Sequence, residues 1–179
     1  RLDGKTYTTR IEYDGVGNKR FITDNKGNKT EYRYDAHNRL VLEIYPEGNT
    51  VEYDYDNNGN KIIVRDGKHN ETRYEYDELN RLVRVIDADS KVTENWYNEE
   101  GRLTKTKSPT GLVTMFRLNE IGLPLEVIDS LNQRSYFDYD VVGNNIYKKD
   151  PRGTETRFTY DDLYRVLRMD LSNGTRRQY

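Results

Sequence analysis

The sequence predicts an all-β chain, an array of antiparallel β-hairpins that lie side by side in one continuous twisted, spiralling sheet. Three observations predict it. A Tyr-Asp pair returns every 21 residues without slippage: Tyr13-Asp14, Tyr34-Asp35, Tyr55-Asp56, Tyr76-Asp77, Tyr97-Asn98, Leu118-Asn119, Tyr139-Asp140 and Tyr160-Asp161. The residues flanking each pair alternate with period two. Gly or Asn stands four residues after the Tyr in all repeats except the last, where Tyr164 takes the place. A fixed period in this range marks stacked modules instead of one unique core.

The first strand of each unit ends on the repeated Tyr. Thr or an equivalent stands four residues earlier (Thr9, Thr30, Val51, Thr72) and an aromatic residue two earlier (Tyr32, Tyr53, Tyr74, Phe116). β-Branched and aromatic residues on alternate positions describe a half-buried strand, and the spacing never shifts to the three or four of a helix. The turn comes next. Asp and Asn side chains bond backbone amides two residues on, and Gly or Asn accepts positive φ. Tyr164 breaks the pattern, so the last Tyr-Asp turn is expected to be distorted or differently built. The second strand carries Val41, Ile62, Val83, Leu125 and Ile146 seven residues past the Tyr, and Val64, Val85 and Val127 nine past it. A second turn, marked by Gly27, Gly48, Gly111 and Gly153, closes the unit. Strands about 4.8 Å apart, two per unit, give a sheet roughly 75 Å wide, which must twist and coil.

Composition agrees with an array. The 179 residues read as a single domain, 1–179, of about eight repeats. Charged residues make up 34 % and nearly cancel, leaving a net charge of -2, without the basic excess of a nucleic-acid binder. Hydrophobic residues are a lean 34 %, and sixteen tyrosines make up buried area while each keeps a polar tip. There is no cysteine. No apolar run approaches the length of a membrane span. Arg1 and Tyr179 both fall inside a unit, so the chain reads as a segment of a longer protein.

Two stretches, Tyr76-Asp77-Glu78-Leu79-Asn80-Arg81-Leu82 and Tyr97-Asn98-Glu99-Glu100-Gly101-Arg102-Leu103, lie close to the consensus Tyr-Asp-x-x-Gly-Arg-Leu. Gly27-Asn28-Lys29-Thr30-Glu31-Tyr32-Arg33-Tyr34-Asp35 matches its upstream half. Through these motifs, eight times in register, essentially the whole chain resembles the Rhs/YD-repeat family. The resemblance implies a long β-sheet that spirals into a hollow shell. Such shells enclose a C-terminal toxin in Tc-toxin cages and bacterial polymorphic toxins, and form an extracellular barrel that supports cell adhesion in teneurins. The family also includes wall-associated proteins of Gram-positive bacteria. Complete shells need far more than eight repeats, and nothing here matches the family's self-cleaving aspartate site or its end motif. The resemblance thus implies a segment of shell wall in an extracellular or surface-displayed bacterial protein, with the remaining repeats and a toxin or other cargo domain as partners.

Other motifs have plainer readings. Asp54-Tyr55-Asp56-Asn57-Asn58-Gly59 imitates a calcium loop, but the twelfth position, where a bidentate acid belongs, is Arg65. His37 and His69 fall in turns with no ligand set nearby. Asn28, Asn70 and Asn173 open glycosylation-type triplets that the repeat itself generates. Glu31, Arg33, Glu52, Asp54, Arg73 and Glu75 alternate on the opposite face to the tyrosines and are expected to form cross-strand ion pairs on a solvated surface. The Tyr row itself is expected to be the core stripe of the sheet.

No cofactor motif, metal set or nucleophile motif is present, and the acidic positions repeat where catalysis needs one asymmetric group. The expected role is a non-enzymatic scaffold that encloses and presents a cargo. The alternative is a module that binds glycans or a cell surface through the curved aromatic-rich sheet. Its candidate contact surface is Trp96, Met115 and Tyr136, apolar residues on the nominally polar side, where the strand is either bulged or meets another part of the parent. Unpaired strand edges are expected to promote self-association.

Overall fold

A computed structural model of the chain describes residues 8–179, so Arg1 lies outside the described residues. They form seventeen strands and no helix, and therefore no helix long and apolar enough to cross a membrane. They fall into two compact units that divide at Lys91/Val92. The first holds β1 (Arg10–Tyr13), β2 (Lys19–Thr23), β3 (Lys29–Tyr34), β4 (Leu40–Ile44), β5 (Thr50–Tyr55), β6 (Lys61–Asp66), β7 (Glu71–Tyr76) and β8 (Leu82–Ile86). The second holds β9 (Val92–Tyr97), β10 (Leu103–Lys107), β11 (Val113–Leu118), β12 (Pro124–Ile128), β13 (Arg134–Tyr139), β14 (Asn145–Lys149), β15 (Glu155–Tyr160), β16 (Val166–Leu171) and β17 (Arg176–Gln178). Within each unit every strand pairs antiparallel with the next in sequence, as a hairpin array requires.

One turn, repeated, builds all of this. Asp56 N–H donates to the Asn60 carbonyl at 2.9 Å, and Gly59 N–H donates back to the Asp56 carbonyl at 3.2 Å. That is a three-residue hairpin loop whose last residue is left-handed. The sixteen turns among the described residues all make these two bonds, and each places a positive φ at its fourth residue, ten times on Gly and six times on another residue. Their first residues run Asp14, Asp24, Asp35, Tyr45, Asp56 and Asp66, alternately 10 and 11 apart, so the 21-residue repeat is two similar halves. Tyr164 is no exception. It adopts φ 60°, and its N–H donates to the Asp161 carbonyl at 2.9 Å. The expected distortion is absent because the flanking ladder and the cap from Asp161 force the left-handed conformation on a residue that disfavours it.

Each Tyr-Asp hairpin also carries one bulge. Glu12 faces Phe21 while Tyr13 faces Lys19, which leaves Arg20 as the extra residue; Val41, Ile62 and Val83 take the same place in β4, β6 and β8. The apolar position seven past the Tyr is therefore the bulged residue of the second strand. At Trp96 the register shift between Leu103 and Lys105 is this same regular bulge, so no special irregularity turns that side chain.

Packing departs from the expectation of a core stripe. Among the described residues no hydrophobic side chain is buried, and strands of each unit meet only their sequence neighbours. The stripe residues Tyr32, Tyr53, Tyr74 and Phe116 are half-buried. The opposite face is not purely polar either. Phe21 faces Glu31, Leu42 lies between Arg33 and Glu52, and Ile63 between Asp54 and Arg73. A single layer cannot bury either face, so both sit at intermediate exposure.

The strained turn generates a test. Replacing Tyr164 with Gly removes the left-handed penalty and is expected to raise stability by about 1 kcal/mol. Thermal melting of Tyr164→Gly beside Gly143→Ala, expected to shift in the opposite direction, checks the sign.

Candidate functional site

The repeat signature makes structural contacts at most of its described positions. The Asp56 carboxylate accepts from the N–H of Asn58 at 2.9 Å and of Asn60 at 2.8 Å through Oδ1, while Oδ2 accepts from the Asn60 amide at 2.9 Å. Asp14 and Asp140 do the same with Asn18 and Asn144. At Asp35, Asp77 and Asp161 an arginine four residues on replaces the amide, for example Arg39 Nε to Asp35 Oδ2 at 2.7 Å. The Asp56 carboxyl is held below the usual aspartate range. The Asn60 amide is the largest cause; partial desolvation opposes it, and the backbone N–H groups of Asn60, Asn58 and Gly59 add to it. Asn98 and Asn119 cap their turns without charge, through Arg102 N–H at 2.8 Å and Leu123 N–H at 2.9 Å.

The repeated Tyr serves the neighbouring unit. Tyr34, Tyr55, Tyr76, Tyr139 and Tyr160 each donate a hydroxyl to the carbonyl of the residue 15 positions earlier, at 3.0, 2.8, 3.0, 3.0 and 2.8 Å. Those acceptors, Lys19, Leu40, Lys61, Pro124 and Asn145, stand beside the bulge of the preceding hairpin. Leu118 has no hydroxyl to offer. Turns on the Tyr-Asp edge are joined in turn: Asn18 Nδ2 donates to Asn38 Oδ1 at 3.0 Å, Asn60 Nδ2 to Asn80 Oδ1 at 2.7 Å, Arg39 to the Asp56 carbonyl at 3.0 Å and Arg102 to the Asn119 carbonyl at 3.1 Å. Grooves of 540, 540 and 450 Å³ recur between successive turns, beside Asp14, Asn98 and Asp140. Their recurrence marks them as a product of the repeat.

The caps of the second turns escaped the sequence reading. Asp24, Asp66, Asp87, Asp129 and Asp150 open the second turn of their repeats, with Oδ1 accepting from the residue four on at 2.8 to 2.9 Å. The signal was present, since each stands ten residues after a signature Asp or Asn. The calcium-like strip resolves into two separate jobs: Asp56 caps its turn and Asp54 pairs with Arg65 at 2.9 Å. Asn28 and Asn70 donate their amides to Asp24 and Asp66 at 2.8 Å each. His37 and His69 are exposed turn residues, His69 being left-handed at φ 64°.

On the opposite face, most ion pairs cross between strands as expected, and others form along one strand. Arg33 meets Glu31 at 2.8 Å two residues away, whereas Arg84 reaches Glu75 across the ladder at 3.2 Å. Trp96, Met115 and Tyr136 share this face in the second unit and are 38, 43 and 37 % exposed. The register runs from Trp96 through Lys105, Met115 and Ile128 to Arg134, and in the adjoining row from Arg117 through Glu126 and Tyr136 to Lys149. Glu126, only 6 % exposed, is the one buried polar residue among those described; Arg134 pairs with it at 2.7 Å and Arg117 at 3.5 Å. The second face cluster is Glu43 on the Tyr side, which accepts from Tyr45 and Tyr53 at 2.7 Å each. Burial first, then Glu43, push the Tyr53 phenol well above its usual range.

Two outcomes follow from the signature. Tyr55→Phe is expected to cost about 1 kcal/mol by removing the hydroxyl bond, and Leu118→Tyr to gain a comparable amount, both read by chemical denaturation. The caps Asp24, Asp35, Asp56, Asp77 and Asp140 have lowered folded-state pKa values, so their contribution is present above the unfolded pKa and is lost as pH falls through the folded one. Stability should hold from neutral pH to about pH 4 and fall below it. Asp56→Asn with Asp77→Asn should flatten that acid limb in melts recorded against pH, as Asn98 and Asn119 already cap without titrating.

Comparison with known proteins places this architecture. No curated protein matches the sequence. A crystal structure of TcdB2-TccC3-TEV shares the fold at a TM-score of 0.62 and 11 % identity, over 94 % of this chain and 11 % of that one. A crystal structure of TcdB2-TccC3-Cdc42 aligns at 13 % identity and a TM-score of 0.34, over 90 % of this chain and 14 % of that one. A Photorhabdus luminescens Tc holotoxin pore aligns at 13 % and 0.33, over 90 % and 13 %. The chain thus spans about a tenth of the length of the first of these. The family model described as Teneurin YD-shell matches residues 3–170, and the chain belongs to that family of YD-repeat shell proteins.

Proposed function

We propose that this chain is a wall segment of a secreted or surface-displayed YD shell, one array of about eight repeats that encloses and presents a toxin or other effector domain of its parent. The observation that carries the reading is the use made of the signature: each described Asp or Asn closes a turn, and five of the repeated Tyr hydroxyls bond the preceding hairpin. Side chains committed in this way to hairpin after hairpin build a surface, and the role is non-enzymatic. The lack of buried hydrophobic side chains among the described residues supports it from the other side. A half-exposed stripe of Tyr, Phe and Val is surface that a cargo or further wall would cover. The unbroken 21-residue period through Tyr76 and Tyr97 supports a single array.

Partners follow from the same features. Among the described residues β1 pairs with β2 alone and β17 with β16 alone, and open edges accept further strands of the same kind. The remaining repeats of the parent are the natural occupants, and the isolated chain should self-associate through these edges.

Protease protection in the parent protein tests the enclosure. With the array intact, the cargo domain should resist added protease; with Asp35, Asp56 and Asp77 all changed to Ala, it should be digested at least about tenfold faster, as expected when the protecting wall opens. Equal digestion in both proteins would overturn the proposal.

A further inference from the structure

A carboxylate on the Tyr face of the first unit stands without a countercharge. Glu43 lies in β4, nine residues past Tyr34, where the other repeats of that unit place Ile22, Val64 and Val85. Register sets it beside Tyr32 on one side and Val51 on the other. Glu12, Glu31, Glu52, Glu71 and Glu75, the other strand glutamates described in that unit, each pair with an arginine. Among the described residues Glu43 has only two phenols, the hydroxyls of Tyr45 and Tyr53 at 2.7 Å each. Hydrogen bonds from neutral phenols orient a carboxylate and leave its charge in place. Tyr45 is a second departure from the repeat. Asp24, Asp66 and Asp87 open the corresponding turns of the unit and cap them, whereas Tyr45 gives up the cap and sends its hydroxyl to Glu43. Two breaks in the repeat, two residues apart and joined by a hydrogen bond, describe one cluster.

The cluster offers rings as well as charge. The phenols of Tyr32, Tyr45 and Tyr53 are all pushed up, by burial and then Glu43 at Tyr32 and Tyr53, and by the Glu43 bond and then burial at Tyr45. Three rings thus stay neutral beside one negative charge. Lys61 stands over the Tyr53 ring at 4.1 Å and Arg39 over Tyr55 at 4.8 Å, so tyrosines of this array already hold cations. Among the described residues no cation stands over Tyr32 or Tyr45, and Tyr45 is 36 % exposed. A cover laid on this part of the stripe must bring a cation or strand the Glu43 charge, and burying an unpaired charge is costly. We propose that Glu43, with Tyr32, Tyr45 and Tyr53, is the docking point for an arginine side chain of the polypeptide that lies against the Tyr face. This rests on the reading of the stripe as a covered surface and adds what the cover must carry. Arginine fits better than lysine. Its planar fork engages both carboxylate oxygens, each of which keeps a lone pair beyond the one its phenol uses, and its plane stacks on tyrosine rings. Val51 beside Glu43 and Val64 beside Tyr53 select apolar residues next to that arginine.

Titration of the intact chain with the peptide acetyl-Leu-Arg-Leu-amide tests the proposal, read by nuclear magnetic resonance at the backbone amides of β4 and β5. The arginine peptide should bind saturably with a Kd on the order of 1 mM, as a single charged anchor allows. The lysine analogue should bind about threefold more weakly, and the glutamine analogue at least about tenfold more weakly. Glu43→Gln and Glu43→Val should each weaken the arginine peptide about tenfold or more. The valine variant installs the residue that Val64 and Val85 hold at the same place in their repeats, so the fold has a precedent for it. Tyr45→Asn, which supplies a cap of the kind Asn98 makes, should weaken the peptide about threefold by removing one ring. Glu47→Gln, in the exposed turn after β4, should leave binding unchanged. Equal binding of the glutamine peptide, undiminished binding by Glu43→Gln, or an equal loss from Glu47→Gln would each overturn the proposal. The n-butylguanidinium ion serves as the free small cation, and binding as tight as that of the arginine peptide would overturn the polypeptide as occupant. Protease protection reads enclosure in the parent and peptide titration reads the anchor in this chain, so each proposal can fail alone.

Discussion

Everything in this structure depends on one three-residue turn. A hairpin loop of this length closes without splaying its strands when its last residue is left-handed and the residue before it is tied down. The chain meets both conditions sixteen times: a positive φ at the fourth turn residue, and in most turns a side-chain oxygen on the first residue that accepts the N–H of the fifth. The variation shows which condition is the stricter. Asp, Asn and Ser all cap, and Tyr45 and Leu171 open turns without capping them through that position. The positive φ is never given up, even where Tyr164 or Ser90 must adopt it. Backbone closure is obligatory, and the cap adjusts its stability.

A sheet built this way has no interior of its own. Its strands touch their neighbours in sequence, and its long-range order comes from backbone ladders, hydroxyl bonds reaching back one hairpin, and amide or guanidinium links between turns. In a layered domain apolar burial would supply most of the stability. Here the polar repeat carries more of the load, and both faces stay available. That is suited to a wall, whose two surfaces meet different surroundings. It also explains why the most buried described residue is a carboxylate. Glu126 sits mid-strand in the ladder under two arginines that satisfy its charge. A buried acid paired on both sides avoids the penalty of an isolated one.

The two faces of the array divide their tasks. The Tyr face is uniform from repeat to repeat, with local departures such as the Glu43 cluster. The opposite face varies in sign, from the carboxylate-rich surroundings of Arg65 to the cation-rich triads around Glu126, Glu155 and Asp170. Uniformity belongs to what every module must do to stack, and variation to what a particular stretch of surface meets.

The strands, their antiparallel order and the first turn of each repeat were legible from the 21-residue period, because hairpin closure is local and each residue type carries its own backbone preference. Asp24, Asp66 and Asp150 were equally local and were overlooked only because their spacing of ten hides inside the longer period. Trp96, Met115 and Tyr136 could be assigned to one face by parity along the strand, but the company they keep could not. Which cations flank Glu126, and that Arg117 and Arg134 belong to one cluster, depends on register across three strands, and a one-residue bulge in each hairpin resets that register. Sequence alone thus determined the module and its repetition, whose causes lie within a few bonds of each residue. Tertiary structure decided the depth of burial and the grouping of charges, because both arise between strands that local spacing does not align.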